Sequence, residues 1–214
     1  MQKQYNLQDI LLFDQRYRAT FINSLGGFKS LVLVGTMGNN DKTNLAPFSS
    51  FVHLGANPPL FALIIRPDSV ERHTLENIRS REEFTVNHVR EDFYMQAHQC
   101  SARYPREQSE FDATGLIQEQ LDGFSAPFVK QSIIKIGARF LREIEIKENG
   151  TVMLIAQIER VILPADCLEK DGFVDIEKAR TVTCSGLDSY HSTHRIGRLC
   201  YAKPELQTRQ IDQF

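Results

Sequence analysis

The sequence predicts a mainly β fold, a β-barrel with peripheral helices, on two observations. Short β-branched apolar runs bounded by Gly, Pro and Asn recur along the chain. The few segments with helical character fall between those runs and are outnumbered by them. That pattern suits an antiparallel barrel; regular βα alternation would predict a parallel sheet instead.

The first strand is the run at 30–36, after Gly26 and Gly27. A second occupies 60–65, opened by Pro58 and Pro59 and closed by Arg66 and Pro67. Residues 84–89 alternate Phe84, Val86 and His88 against Thr85, Asn87 and Val89. The clearest hairpin joins 133–146 to 152–163 through Asn149 and Gly150, a pair favoured in tight turns because both tolerate positive φ. In its second strand Val152, Leu154, Ala156 and Ile158 recur every second residue. Residues 181–184 form a last short strand. Residues 70–80 make about three turns of helix, with Asp68 or Ser69 as N-cap and Arg79 and Arg81 complementing the C-terminal dipole. A second helix is expected at 92–101. Without repeats or a Pro/Gly/Ser-rich linker, residues 1–214 read as one domain, with 205–214 a polar tail that is mobile or lies on a partner.

Composition removes several function classes. With 25 Lys and Arg against 27 Asp and Glu, the net charge of -2 gives no electrostatic footprint for nucleic acid. No apolar run approaches a membrane span, and the polar first ten residues carry no secretory signal, so a cytoplasmic protein is expected. Cys100, Cys167, Cys184 and Cys200 match neither a zinc site nor a redox CxxC pair and read as reduced thiols. The six histidines do not cluster with acids at metal-ligand spacing, so no metal is expected. GxGxxG, P-loop, GxSxG and HExxH motifs are all absent.

Two segments carry chemical interest. Residues 44–51 are strand-like yet hold Pro47 and the adjacent hydroxyls of Ser49 and Ser50. A proline removes a ladder donor, so this strand should be at an edge or bulged, and an edge strand leaves backbone groups free to meet a flat heterocycle. An ordinary irregular edge strand reads the same way. In 66–77 an apolar strand ends at Arg66 and leads into a helix carrying Arg72, His73, Thr74 and Asn77. A helix N-terminus beside arginines and hydroxyls attracts phosphate, and a solvated surface helix is the equal alternative.

Taken in order, these segments resemble the flavin reductase-like domain family, an FMN-binding split barrel. The resemblance rests on Gly35-Thr36, then Asn44 through Phe51, His53, Asn57-Pro58-Pro59-Leu60, Arg66-Pro67 and Arg72 through Ile78. It continues through Glu83-Phe84-Thr85-Val86-Asn87, residues 109–116, Gly186 through His191 and Arg198 through Ala202, so it spans roughly 21–204. It implies a split β-barrel homodimer with FMN at or near the subunit interface. By position, Asn44, Ala46, Pro47, Ser49 and Ser50 would line the flavin ring and ribityl chain. Arg66, Ser69, Arg72 and Thr74 would hold the phosphate. The 97–102 stretch and Tyr104 would approach the dimethylbenzene edge, with Tyr190 and His191 shaping the substrate side or packing the dimer. The sequence departs from better-known reductases at Met37-Gly38-Asn39-Asn40, where many members have a longer charged turn, and in carrying the Gly186-to-His191 segment.

The implied function is an NAD(P)H-dependent flavin reductase, with a small-molecule electron donor or acceptor as partner and NAD(P)H as co-substrate. Two alternatives stay open: an FMN-bound, flavoredoxin-like electron carrier without direct nicotinamide use, and a non-catalytic split-barrel interaction module.

Overall fold

The structure, a computed structural model, describes residues 1–39, 41–67 and 70–211. Two helices open the chain, α1 (Leu7–Leu12) and α2 (Gln15–Leu25). The strands β1 (Lys29–Ser30), β2 (Val32–Met37), β3 (Thr43–Phe48), β4 (Val52–Ala56) and β5 (Pro59–Ile65) follow. Next come α3 (His73–Arg81), β6 (Glu83–His88), α4 (Tyr94–Gln99) and α5 (Glu110–Thr114). The short β7 (Gln118–Glu119) and β8 (Phe128–Val129) precede the long hairpin β9 (Lys135–Ile146) and β10 (Thr151–Ile162). Finally β11 (Thr183–Ser185) and β12 (Ser189–His191) form a small hairpin.

Seven strands form an antiparallel sheet in the order β3-β2-β6-β9-β10-β5-β4. Its two edge strands, β3 and β4, are consecutive in the chain and joined only by residues 49–51. Laid flat, six strand spacings of about 4.8 Å would separate them by roughly 29 Å. Four residue steps reach at most about 14 Å. The sheet therefore curls until its edges meet. Ser50 fixes the seam: its Oγ donates to the Ile64 carbonyl and accepts from the Ile64 N–H, both at 3.0 Å.

Residue alternation puts Val32, Val34, Phe84, Val86, Leu63 and Leu154 inside the barrel, with Leu75 and Ile78 of α3 packed on the same core. The other face of β2 is also covered. Leu31 and Leu33 pack with Leu45, Phe93, Ala97, Phe111 and Cys184 in a second core beneath α4 and α5. Burial on both faces explains why β2 reads as an unbroken apolar run. Polar pegs fasten this outer layer. Asn87, fully buried, donates to the Leu33 carbonyl at 3.1 Å and accepts from the Val129 N–H at 2.9 Å.

Three expectations are corrected. The expected 70–80 helix starts at His73 with Arg72 in the N-cap position; Asp68 and Ser69 lie outside the described residues. In place of a side-chain cap from the N-cap residue, the Glu76 carboxylate reaches back to the Arg72 N–H at 3.3 Å. The β9–β10 turn spans four residues, and only Gly150 takes positive φ (71°), while Asn149 Oδ1 accepts from the Thr151 N–H at 3.0 Å. The strand expected at 181–184 forms at Thr183–Ser185 and is followed by β12.

α1 and α2 are not among the helices expected from the sequence. Their signals are local: Asn6 and Asp9 form a reciprocal capping box, and Asp14 accepts from the Arg16 and Tyr17 N–H groups. Phe13, Tyr17 and Phe21 recur every fourth residue and make edge-on ring contacts. These helices bury none of their residues, and Leu7, Leu12, Ile22 and Leu25 are exposed. The 205–211 segment folds back on its own chain, with the Cys200 N–H donating to Arg209 at 3.0 Å and the Ile211 N–H to Arg198 at 2.9 Å. No helix among the described residues is long and apolar enough to cross a membrane.

Candidate flavin site

A cavity of about 840 Å³ opens beside β3, within the range of small-molecule sites. One wall is Asn44, Ala46, Pro47, Phe48, Ser49 and Ser50. A second is Arg66 after β5, with Arg72, His73 and Thr74 at the start of α3. The end of α4 and the α4–α5 loop, from His98 to Arg106, supply a third, and Asn23, Leu187, Asp188 and Tyr190 a fourth. Every expected cofactor residue in the described chain lines this one cavity; Ser69 lies outside the described residues.

β3 is an edge strand, as Pro47 requires. The Leu45 N–H points away from β2 and donates to Glu110 Oε2 at 2.8 Å. By two-residue alternation Pro47 sits at the next outward position, where no ladder donor is lost. The strand is held from outside by α5: besides Glu110, Ser109 Oγ lies 2.8 Å from Thr43 Oγ1. Burial pushes the Glu110 carboxyl above its usual range, against the opposing pull of the Leu45 N–H.

Asn44 is buried, and its Nδ2 donates to Thr74 Oγ1 at 2.9 Å and to Thr36 Oγ1 at 3.3 Å. Since Thr74 accepts there, its own hydroxyl proton is left to donate elsewhere. Arg72 Nε donates to the Pro67 carbonyl at 3.2 Å, which orients the guanidinium. Ser50 departs from expectation in one respect: its hydroxyl is engaged by Ile64, so it reaches the cavity without a free hydroxyl donor.

Several cavity residues were not read from the sequence as part of a site. Arg106 pairs with Glu71 and Glu76, and His73 Nε2 lies 3.5 Å from Glu71. The hydrogen bond from Arg106 holds the Glu71 carboxyl below its usual range. Glu110, Arg106 and Asn23 come from segments distant in sequence, and no local periodicity marks them. Tyr190 Oη lies 2.5 Å from His98 Nδ1, joining the β11–β12 hairpin to α4. Burial raises the Tyr190 phenol, helped by Cys184 and Asp188. His191 turns away: its Nε2 meets Ser185 Oγ at 2.8 Å and its ring packs edge-on against Phe28.

Among the described residues, the cysteines of the site are not activated nucleophiles. Cys100 and Cys184 line the cavity, yet burial pushes Cys100 up to about 12 and raises Cys184. All four cysteines are free, and no group of acids, histidines and cysteines among the described residues could hold a metal. What the walls offer is an open cavity beside an edge strand, with cationic donors at a helix start. That donor set fits a phosphorylated heterocycle such as FMN.

Comparison with known proteins gives the family and the fold. The flavin reductase like domain profile matches residues 25–179. A split-barrel protein of Shewanella frigidimarina NCIMB 400, designated a flavin reductase, is 45% identical; the match covers 94% of this chain and 100% of that one, with a TM-score of 0.91. Nitrilotriacetate monooxygenase component B from Bacillus cereus shares the fold at 20% identity and TM-score 0.80, over 91% of this chain and 97% of that one. Flavoredoxin of Desulfovibrio vulgaris (Miyazaki F) does so at 22% identity and TM-score 0.69, over 84% and 92%. The chain belongs to the flavin reductase like domain family and has its split-barrel fold.

Proposed function

We propose that this flavin-related oxidoreductase binds FMN in the cavity beside β3 and reduces flavin with NAD(P)H. The observation that carries the reading is the convergence of the β3 edge with Arg66, Arg72 and the start of α3 on one cavity. The bound flavin supplies the hydride chemistry, and the protein supplies position and electrostatics. Asn44, Ala46, Pro47 and Ser49 line the ring and ribityl chain, with Ser50 closing the seam behind them. Arg66 and Arg72 neutralise the phosphate, the free hydroxyl proton of Thr74 donates to it, and Ser69 belongs to the same end by position. Backbone N–H groups at Ser49 and Ser50, just past the end of β3, would stabilise negative charge on a flavin bound there. The groups within β3 are less suited: Leu45 is spent on Glu110, and Pro47 has no N–H.

The chain also works as a homodimer in this reading. The exposed apolar residues of α1 and α2 form the kind of surface that a second copy would cover. Light scattering at twice the 24.5 kDa mass of one chain supports this; a monomer with flavin bound contradicts it.

The test of the reaction is anaerobic addition of NADH, then NADPH, to the flavin-loaded protein. Bleaching of the flavin bands by either nicotinamide is expected. Bleaching by dithionite alone would overturn the reductase reading in favour of an electron carrier that receives its electrons from another protein.

A further inference from the structure

Arg106 stands apart from the arginines assigned above. It projects from the α4–α5 loop, a segment separate in sequence from α3, and its guanidinium meets Glu71 and Glu76 beside the first turn of that helix. The loop that carries it is fastened at both ends. Gln99 Nε2 donates to Tyr104 Oη at 2.9 Å, and Ser109 Oγ meets Thr43 Oγ1 at 2.8 Å. Arg106 is thus held in place rather than trailing in solvent.

The two carboxylates it meets are badly placed for an anion site. Glu71 lines the cavity together with Arg66 and Arg72, and Glu76, in the first turn of α3, has its Oε1 on the Arg72 N–H. Without Arg106, the charges of Arg66 and Arg72 are cancelled by Glu71 and Glu76. With it, the arginines beside these two carboxylates outnumber them by one, and Arg103 of the same loop also lines the cavity. His73 touches Glu71 from α3, and Glu110 faces the cluster from α5.

We propose that Arg106 is a positioning residue that makes this end of the cavity receptive to a phosphate by occupying Glu71 and Glu76, without itself contacting the ligand. The inference rests on the phosphate of FMN lying at the start of α3. It assigns phosphate selectivity to a residue that acts through its carboxylate partners.

The probes are FMN and riboflavin, which share ring and ribityl chain and differ in the phosphate, titrated by flavin fluorescence at fixed ionic strength. The wild type binds FMN more tightly than riboflavin. Arg106→Gln lowers FMN affinity about tenfold, the scale of one partly screened charge, and leaves riboflavin within about twofold. Adding Glu71→Gln and Glu76→Gln to Arg106→Gln restores FMN affinity to within about threefold of wild type. Equal losses for both flavins would make Arg106 a structural brace, and no recovery in the triple variant would make it a direct phosphate ligand; either overturns the proposal. A wild type that binds both flavins equally would overturn the phosphate placement itself, before any variant is read.

Discussion

Glu110 gives the sharpest test of how β3 is held. Its Oε2 accepts from the N–H of Leu45, a residue with no exposed surface. Glu110→Ala leaves that buried donor unpaired, at about 1–3 kcal/mol, and removes a buried methylene worth about 0.8 kcal/mol. Part of the loss is offset at neutral pH, because a carboxylate held against burial is also removed. The net expectation is destabilisation of about 1–3 kcal/mol. Glu110→Gln keeps an acceptor for Leu45 and carries no charge, so at neutral pH it matches or exceeds wild type. The pH dependence follows from the raised carboxyl. Above the ordinary value of 4.5 the folded state holds a proton that the unfolded state has lost. Wild-type stability therefore falls as pH rises from there through the raised value. Glu110→Gln lacks this fall, so its advantage over wild type grows from acid to neutral pH. Urea unfolding followed by circular dichroism at about pH 4, 5.5 and 7 reads all three proteins. A Glu110→Gln protein as unstable as Glu110→Ala at neutral pH would refute the reasoning.

Three further outcomes are expected. Ser50→Ala opens the seam at Ile64 and costs about 1–3 kcal/mol in urea unfolding, while Ser49→Ala at the neighbouring position costs less than about 0.5 kcal/mol. Gly35→Ala would set a Cβ 2.3 Å from the Pro127 carbonyl oxygen and 2.6 Å from Thr85 Oγ1; both are fixed, so Tm drops by several degrees, with about 1–3 kcal/mol of overpacking or more. Burial pushes His88 down from 6.5 to about 4, so its neutral form stabilises the fold above 6.5 and that contribution, on the order of 3 kcal/mol, is lost as pH falls towards 4. His88→Gln should flatten the acid limb of the stability curve over that window, and an unchanged limb would show that His88 is not buried neutral.

The strands were legible because their residues obey local rules. Val152, Leu154 and Ala156 alternate into the barrel core as their spacing predicts, and Pro47 marks β3 as an edge. Closure of the barrel was not legible, since it depends on one hydroxyl, Ser50, pairing with a residue fourteen positions on. The site divides the same way. Asn44, Arg66, Arg72 and Thr74 lie in two compact segments, and they do share one cavity. Glu110 and Arg106 act across the fold on Leu45, Glu71 and Glu76, and nothing in their neighbourhood announces those partners. The N-terminal helices carry local signals in their caps and in the four-residue spacing of Phe13, Tyr17 and Phe21, but they bury no residue in the core, so no packing partner elsewhere in the chain points to them.

The functional reading turns on FMN occupying the cavity beside β3 with its phosphate at Arg66 and Arg72. It is checked by the flavin absorbance of wild type and Arg66→Ala after incubation with FMN and desalting, followed by titration. Wild type is expected to retain flavin, and Arg66→Ala to bind it about 1.5–3 kcal/mol more weakly, the scale of a charge-assisted hydrogen bond. A wild type that retains no flavin, or an Arg66→Ala protein with undiminished affinity, would contradict it.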